Sequence, residues 1–188
     1  MLRQGNTLRR IGALATVGAI ALACGQGRAI FNVDVYSFIK GTGNDTIPYA
    51  IPPSSTGRDS TVQSINLPPG FGSSIVESVT IDTGAANLIN SAGTGTIGFQ
   101  LYVAADSGST FLPTSLAVNV PETSVSGTNT SVLNISGGLT PAVLAAFSGS
   151  KVWIGLVAKG TNPGVTPVTG KMALTALRLR IVVRDKIF

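Results

Sequence analysis

The sequence predicts an all-β fold, an antiparallel β-sandwich of the jelly-roll or Ig-like type, with about eight strands and one short helix. Three observations carry that expectation. Apolar residues alternate with polar or small ones at period two over several long stretches, clusters of Gly, Pro, Ser, Thr and Asn separate those stretches, and apolar residues almost nowhere recur at helical spacing. The 188 residues, with 23 glycines and 10 prolines, fit one domain rather than two.

The clearest strands lie in the second half. Ile97, Phe99, Leu101 and Val103 alternate with Gly98, Gln100 and Tyr102. Leu116, Val118 and Val120 alternate with Ala117 and Asn119, and Leu177, Leu179, Ile181 and Val183 alternate with Arg178, Arg180, Val182 and Arg184. Each pattern buries one face of a strand. Further strands are expected at 29–39, 61–67, 75–82, 131–136 and 151–158. One helix is expected at 140–147: Thr140 suits the cap, Pro141 the first helical position and Gly149 the end, while Val143, Leu144 and Phe147 form a core-facing stripe. Such a segment plugs one end of the sandwich. Residues 41–60 read as irregular and extended, because Pro48, Pro52 and Pro53 with Gly41, Gly43 and Gly57 disfavour a central strand, and 160–170 reads as a smaller relative.

The N-terminus has its own logic. Arg3, Arg9 and Arg10 precede an uncharged apolar run from Ile11 to Ala23, and Cys24, Gly25, Gln26, Gly27 and Arg28 follow. A basic start, an apolar centre too short for a bilayer span and a small-residue end describe a secretory leader over 1–23. Residues 24–60 then form an N-terminal strand with a Pro/Gly-rich arm, and 61–188 the remainder of the single sandwich domain. Ala21-Leu22-Ala23-Cys24 resembles the lipobox of bacterial lipoproteins, in which the cysteine becomes the lipid-modified first residue of the mature chain. That resemblance implies lipid attachment at Cys24, a membrane partner through the N-terminal anchor, and a location at the outer membrane, periplasm or cell surface. Ala21 and Ala23 also fit an ordinary signal-peptidase site, and both readings stay open.

Composition excludes much chemistry. The chain has no histidine and one cysteine, which removes the commonest general base and metal ligand, zinc clusters and internal disulfides. No metal and no cofactor is expected. The Gly41–Thr46 stretch offers oxygen ligands without the acidic count of a calcium loop, and no Gly-rich stretch has the Lys-Ser/Thr of a phosphate loop. Glu77 and Asp82 are five apart, which sets them on opposite faces of a regular strand and argues against paired acids. The chain therefore reads as a non-enzyme.

Without the three leader arginines, ten Lys and Arg stand against eight Asp and Glu, too small an excess to point to nucleic acid. Charge is segregated, however. Asp59, Glu77, Asp82, Asp106 and Glu122 occupy a stretch with no basic residue, and seven Lys and Arg against one Asp fill 151–188. Folding is expected to balance the two within one subunit, with a contact between subunits as the alternative.

The candidate contact residues follow from strand phase. Arg178, Arg180 and Arg184 share a face, continued by Lys186, and their forked donors suit carboxylate, sulfate or phosphate in a partner. Tyr36, Tyr49 and Tyr102 are candidates for exposed rings at a glycan or protein contact. The terminal Phe188 invites comparison with outer-membrane barrels, but Lys186, Arg184 and Arg180 would set charge against lipid at about 2–4 kcal/mol each. The functional expectation is an exported, lipid-anchored envelope subunit that works by binding other envelope proteins or copies of itself. The alternative is a self-assembling extracellular fibre or sheath subunit whose residues 25–60 add a strand to a neighbour, and a lesser one is a ligand- or glycan-binding module.

Overall fold

A computed structural model describes residues 27–67 and 75–184. Two antiparallel sheets pack face to face. Sheet A contains β1 (Arg28–Asp34), β2 (Thr46–Ile51), β4 (Ile75–Ala92), β7 (Asn129–Asn134), the two-residue β8 (Gly137–Gly138) and β10 (Val168–Arg184). Sheet B contains β3 (Ser55–Asn66), β5 (Thr94–Ala104), β6 (Leu116–Ser126) and β9 (Lys151–Asn162). A five-residue helix α1 (Val35–Ile39) follows β1, and α2 (Pro141–Leu144) runs into a 3₁₀ turn (Ala145–Ser148) before β9.

The winding decides between the two sandwich types. β1 and β2 share one edge of β10, over its 178–184 and 168–173 halves, and so fill a single strand position; β7 and β8 share the far edge of β4 in the same way. Numbered along the chain, the eight positions then run 1-8-3-6 in sheet A and 2-7-4-5 in sheet B. This is the double Greek-key winding of a jelly roll. An Ig-like order is excluded, because the first and last positions lie side by side.

The expected strand phases hold through the core. Phe99, Leu101 and Val103 from β5, Ile154 and Leu156 from β9, and Leu177, Leu179 and Ile181 from β10 are all buried between the sheets. At 140–147 Thr140 occupies the cap position without a side-chain bond, Pro141 opens the helix, and Val143 and Phe147 are buried as the stripe required.

Three expectations are corrected. The predicted strand at 29–39 ends at Asp34, whose Oδ1 accepts the Ser37 N–H and caps α1; the apolar pair Val35 and Ile39 is spaced for a helical turn, and both are buried. Residues 41–60 are not irregular: 46–51 form β2 and 55–60 begin β3, so β3 runs across the expected boundary at 60/61. Pro48 is accommodated because β2 pairs with β10 on one side and lies at the sheet margin. The Pro52–Pro53 pair makes the turn into β3, where Ser54 takes a left-handed φ of 52°.

Glu77 and Asp82 are the third correction. The β4–β10 ladder shifts register between Val182 and Val183 and between Arg178 and Leu179. Each shift inserts one extra β4 residue, Glu77 at the first and Asp82 at the second. Two bulges rotate the period, and both carboxylates belong to the outer face with the arginines of β10.

Candidate functional site

On the outer face of sheet A, Arg178, Arg180 and Arg184 project in phase and are exposed, as strand alternation requires. They do not form one uniform patch. The Arg28 Nε lies 2.8 Å and the Arg184 Nε 3.5 Å from the Glu77 carboxylate, so one bulged glutamate holds two arginines from β1 and β10. Asp34 stands opposite Arg178 in the ladder, but its side chain is engaged in capping α1, and neither Arg178 nor Arg180 forms an ion pair among the described residues. Charge balance within the subunit is thus real at one end of the face and incomplete at the other. Cys24 and Lys186 lie outside the described residues.

The tyrosines are not the exposed set the sequence suggested. Tyr49 is buried: its hydroxyl donates to the Asn90 Oδ1 at 3.1 Å, and burial pushes the phenol up to about 12. Tyr102 is buried as well, although its phase does place it on the outer face of sheet B. It is covered by residues 105–115, the connection between β5 and β6, which fold back over that sheet. Tyr36 is half-buried on α1 with the Lys40 Nζ 5.9 Å from its ring centre. The signal that was missing is the covering loop, since a period-two pattern identifies a face but not what lies on it.

That loop is built to stay in place. The Asp106 Oδ1 accepts the Ser109 N–H at 2.9 Å and its Oδ2 accepts the Ser109 hydroxyl at 2.7 Å, which hold the carboxyl below its usual range. Phe111 lies edge-to-face on Tyr102 at 5.6 Å, and the Arg58 guanidinium sits 5.9 and 5.6 Å from the two ring centres. Gly155 is required beneath it, because a Cβ there would come within 2.8 Å of the Phe111 ring and 2.7 Å of Thr110.

The sheet edges differ in a way that bears on partners. On β3, Asp59 pairs with Ala158 and is in phase with the core face, an inward-pointing charge at the margin of sheet B. On β6, Pro121 and Glu122 form a bulge opposite Gly98, and Glu122 accepts a hydrogen bond from the Thr96 hydroxyl. Proline, bulges and inward charges are the ordinary guards against edge-to-edge pairing. The β7 edge of sheet A has none of them. Its sequence, Asn-Thr-Ser-Val-Leu-Asn, is uncharged, it pairs without a register shift, no described strand pairs with its outer edge, and Val132 is 63% exposed.

At one end of the sandwich a shallow groove of about 570 Å³ is lined by Ser54, Ser55, Thr56, Thr161, Asn162 and Pro163. Asn162 is fully buried and ties two loops together: its Nδ2 donates to the Ile51, Pro52 and Thr166 carbonyls, and its Oδ1 accepts the Gly164 N–H. These groups are structural, and the described residues that line the groove offer hydroxyls and no acid or base. Among the described residues no group of three His, Cys, Asp or Glu is placed to hold a metal ion.

The geometry defines a class, a jelly-roll domain in which the 105–115 loop covers the outer face of one sheet. No protein-family model and no curated protein matches the chain in sequence. Among solved structures it is similar to a chain in a structure of the Gx strain of infectious bursal disease virus, with 10% identity and a TM-score of 0.44 over 95% of this chain and 37% of that one. It is also similar to a chain of the T13 particle of that virus (9% identity, TM-score 0.34, 93% and 43% covered) and to one of the Gt strain (12%, 0.31, 75% and 38%). This chain therefore spans less than half the length of those it resembles.

Proposed function

We propose that this chain is a self-assembling structural subunit, with the β7 edge as a contact between copies. The observation that carries the proposal is the contrast within one molecule: both edges of sheet B are guarded against pairing and the β7 edge is bare. Strand pairing satisfies the outward N–H and C=O groups of β7, and a two-fold pairing of β7 with β7 sets Val132 against its counterpart, removing an exposed valine from water. The covered outer face of sheet B fits a subunit whose contacts are made through its other surfaces. The leader-like residues 1–23 support placing the assembly outside the cytosol, as a fibre or sheath, with Cys24 as the point of any lipid tether.

Sedimentation velocity across a hundredfold range of concentration tests the proposal. The expected result is a concentration-dependent shift from monomer to pairs and larger species. Val132→Lys, which places a charge on the bare edge, raises the concentration needed for pairing at least tenfold. Monomer at every concentration and salt, or Val132→Lys pairing like the parent chain, overturns it.

A further inference from the structure

We infer that β1 is an exchangeable strand, leaving its own β10 to occupy the same seat on the β10 of a second copy. The inference rests on the self-assembly reading and supplies it with a second contact. β1 is the N-terminal strand of the described chain, and its burial alternates between exposed and intermediate from Arg28 to Asp34 without one fully buried residue. Every other described strand longer than two residues has at least one buried residue.

The seat is unlike the strand. Leu179, Ile181 and Val183 of β10 are buried and face the core, paired in register with Val33, Phe31 and Ala29. β10 therefore needs a strand along this edge, and the packing of Ala29, Phe31 and Val33 against the core is the same whichever copy supplies the strand. The anchor of the segment begins immediately after β1, with Val35 and Ile39 of α1 buried against the rest of the fold. No loop separates strand from helix, so the change of direction is concentrated at Asp34, and short hinges of this kind favour exchange between copies over return to the same chain.

The polar contacts transfer unchanged. Glu77 belongs to β4 and Arg184 to β10, so an incoming Arg28 meets the same carboxylate that its own chain offers. The seven-residue register, from Arg28 opposite Arg184 to Asp34 opposite Arg178, is also identical in either arrangement. Exchange keeps the ladder contacts and gives up at most the Asp34–Ser37 cap bonds at the hinge, so concentration together with the hinge decides it. The donor arm expected at 25–60 is thereby narrowed to 28–34 among the described residues, because 46–51 and 55–60 are integral strands with buried residues or a guarded edge.

A cysteine pair tests the exchange in the full-length chain. In a Cys24→Ser background, Asn32→Cys and Arg180→Cys place two thiols on Cα partners of the β1–β10 ladder, a separation of about 4.5–5.5 Å that suits a disulfide. Assemblies are formed under reducing conditions, oxidised and run on a non-reducing denaturing gel. Exchange is expected to give chains linked to one another, and oxidation of dilute monomer first, which locks β1 to its own β10, is expected to reduce species larger than a pair at least tenfold until reductant is added. Ile30→Cys with Val182→Cys is a second pair on the same ladder in case the first folds poorly. Assemblies that contain only intrachain links, or locked chains that grow like unlocked ones, overturn the exchange and leave self-assembly standing. Adding Val132→Lys separates the two ideas in the other direction: interchain links that persist without the β7 contact support exchange and remove β7, and a chain that forms no assemblies at all removes both.

Discussion

Replacing Asn162 with Ala is expected to be strongly destabilising. This side chain is 0% exposed and makes four contacts of 2.9–3.0 Å, three to carbonyls of the 51–52 and 166 backbone and one from the Gly164 N–H. A hydrogen bond contributes about 1 kcal/mol net, and a buried group left without a partner costs about 1–3 kcal/mol. Ile51 is itself buried, so its carbonyl cannot turn to water, while the turn residues Pro52 and Thr166 are exposed and recover part of the loss. The sum is about 3–4 kcal/mol, a large share of the 5–15 kcal/mol typical of a domain, and at a urea slope of about 2 kcal/mol/M it lowers the midpoint by about 1.5–2 M. Asn162→Asp adds a discriminating sign. Its ionised carboxyl would face three carbonyl oxygens, so the folded state favours the protonated acid and raises its pKa above the ordinary value of about 3.9. The unfolded chain then loses its proton first, and stability relative to Asn162→Ala falls as pH rises above about 4, levelling once the folded carboxyl ionises. Urea titrations of both variants between pH 3 and pH 7 measure this. An Ala shift under 1 kcal/mol, or an Asp variant as stable as the parent at pH 7, refutes the reasoning.

Tyr49 predicts a loss in alkali: with its folded phenol at about 12 against about 10 unfolded, stability is intact below pH 10 and falls by about 2 kcal/mol as pH rises to 12. In Tyr49→Phe, followed by thermal melts over that range, this part of the loss disappears. Leu101→Ala and Ile181→Ala, both within 1% of full burial, are expected to cost about 2–5 kcal/mol in urea melts. Arg180→Ala is expected to change stability by less than about 0.5 kcal/mol, because the side chain is exposed and has no ion pair among the described residues; a larger loss in the same melts would show a missed partner. Mass spectrometry of exported chain is expected to find Cys24 at the mature N-terminus carrying an acyl modification, and a cut elsewhere removes the tether.

The sandwich was legible because burial in sheets is written at period two, and the phases of 97–103 and 177–184 read from the sequence are those of the structure. What local pattern could not supply was anything set by a neighbour. Whether Pro48 interrupts a strand depends on which side of it faces β10, and the jelly-roll order depends on pairings more than a hundred residues apart, such as Ala29 with Val183. The error at Glu77 and Asp82 has the same source, since alternation assigns faces only while the register is unbroken. The candidate surface was half legible. The arginine face follows from spacing alone, but Tyr102 required knowledge of a loop that returns to cover it, and the bare β7 edge has meaning only beside the guarded edges of the other sheet.

That asymmetry also bears on what kind of assembly is reachable. A β7 contact that pairs with itself is two-fold and closes after two copies, so by itself it yields pairs and no fibre. Growth needs a second contact elsewhere on the subunit, and in sheet A β1 lies two strands away from β7, across β10 and β4. Exchange at that edge is directional, because a donor strand and an acceptor seat are different surfaces, and directional contacts propagate unless geometry closes them. The two margins of sheet A would thus divide the work, one pairing copies symmetrically and the other linking pairs into a chain. On the proposed reading sheet B would take little part in contacts, because Tyr102 and Gly155 lie beneath the 105–115 loop and both of its edges are guarded. Opening that face should therefore change the assembly as well as the fold. Gly155→Ala forces Phe111 and Thr110 off the sheet, at about 1–3 kcal/mol, and exposes the Tyr102 ring. Its expected outcome is irregular aggregation in sedimentation in place of the concentration-dependent series of pairs and larger species expected of the parent chain, and an unchanged series would show that the covering loop plays no part in directing contact to sheet A.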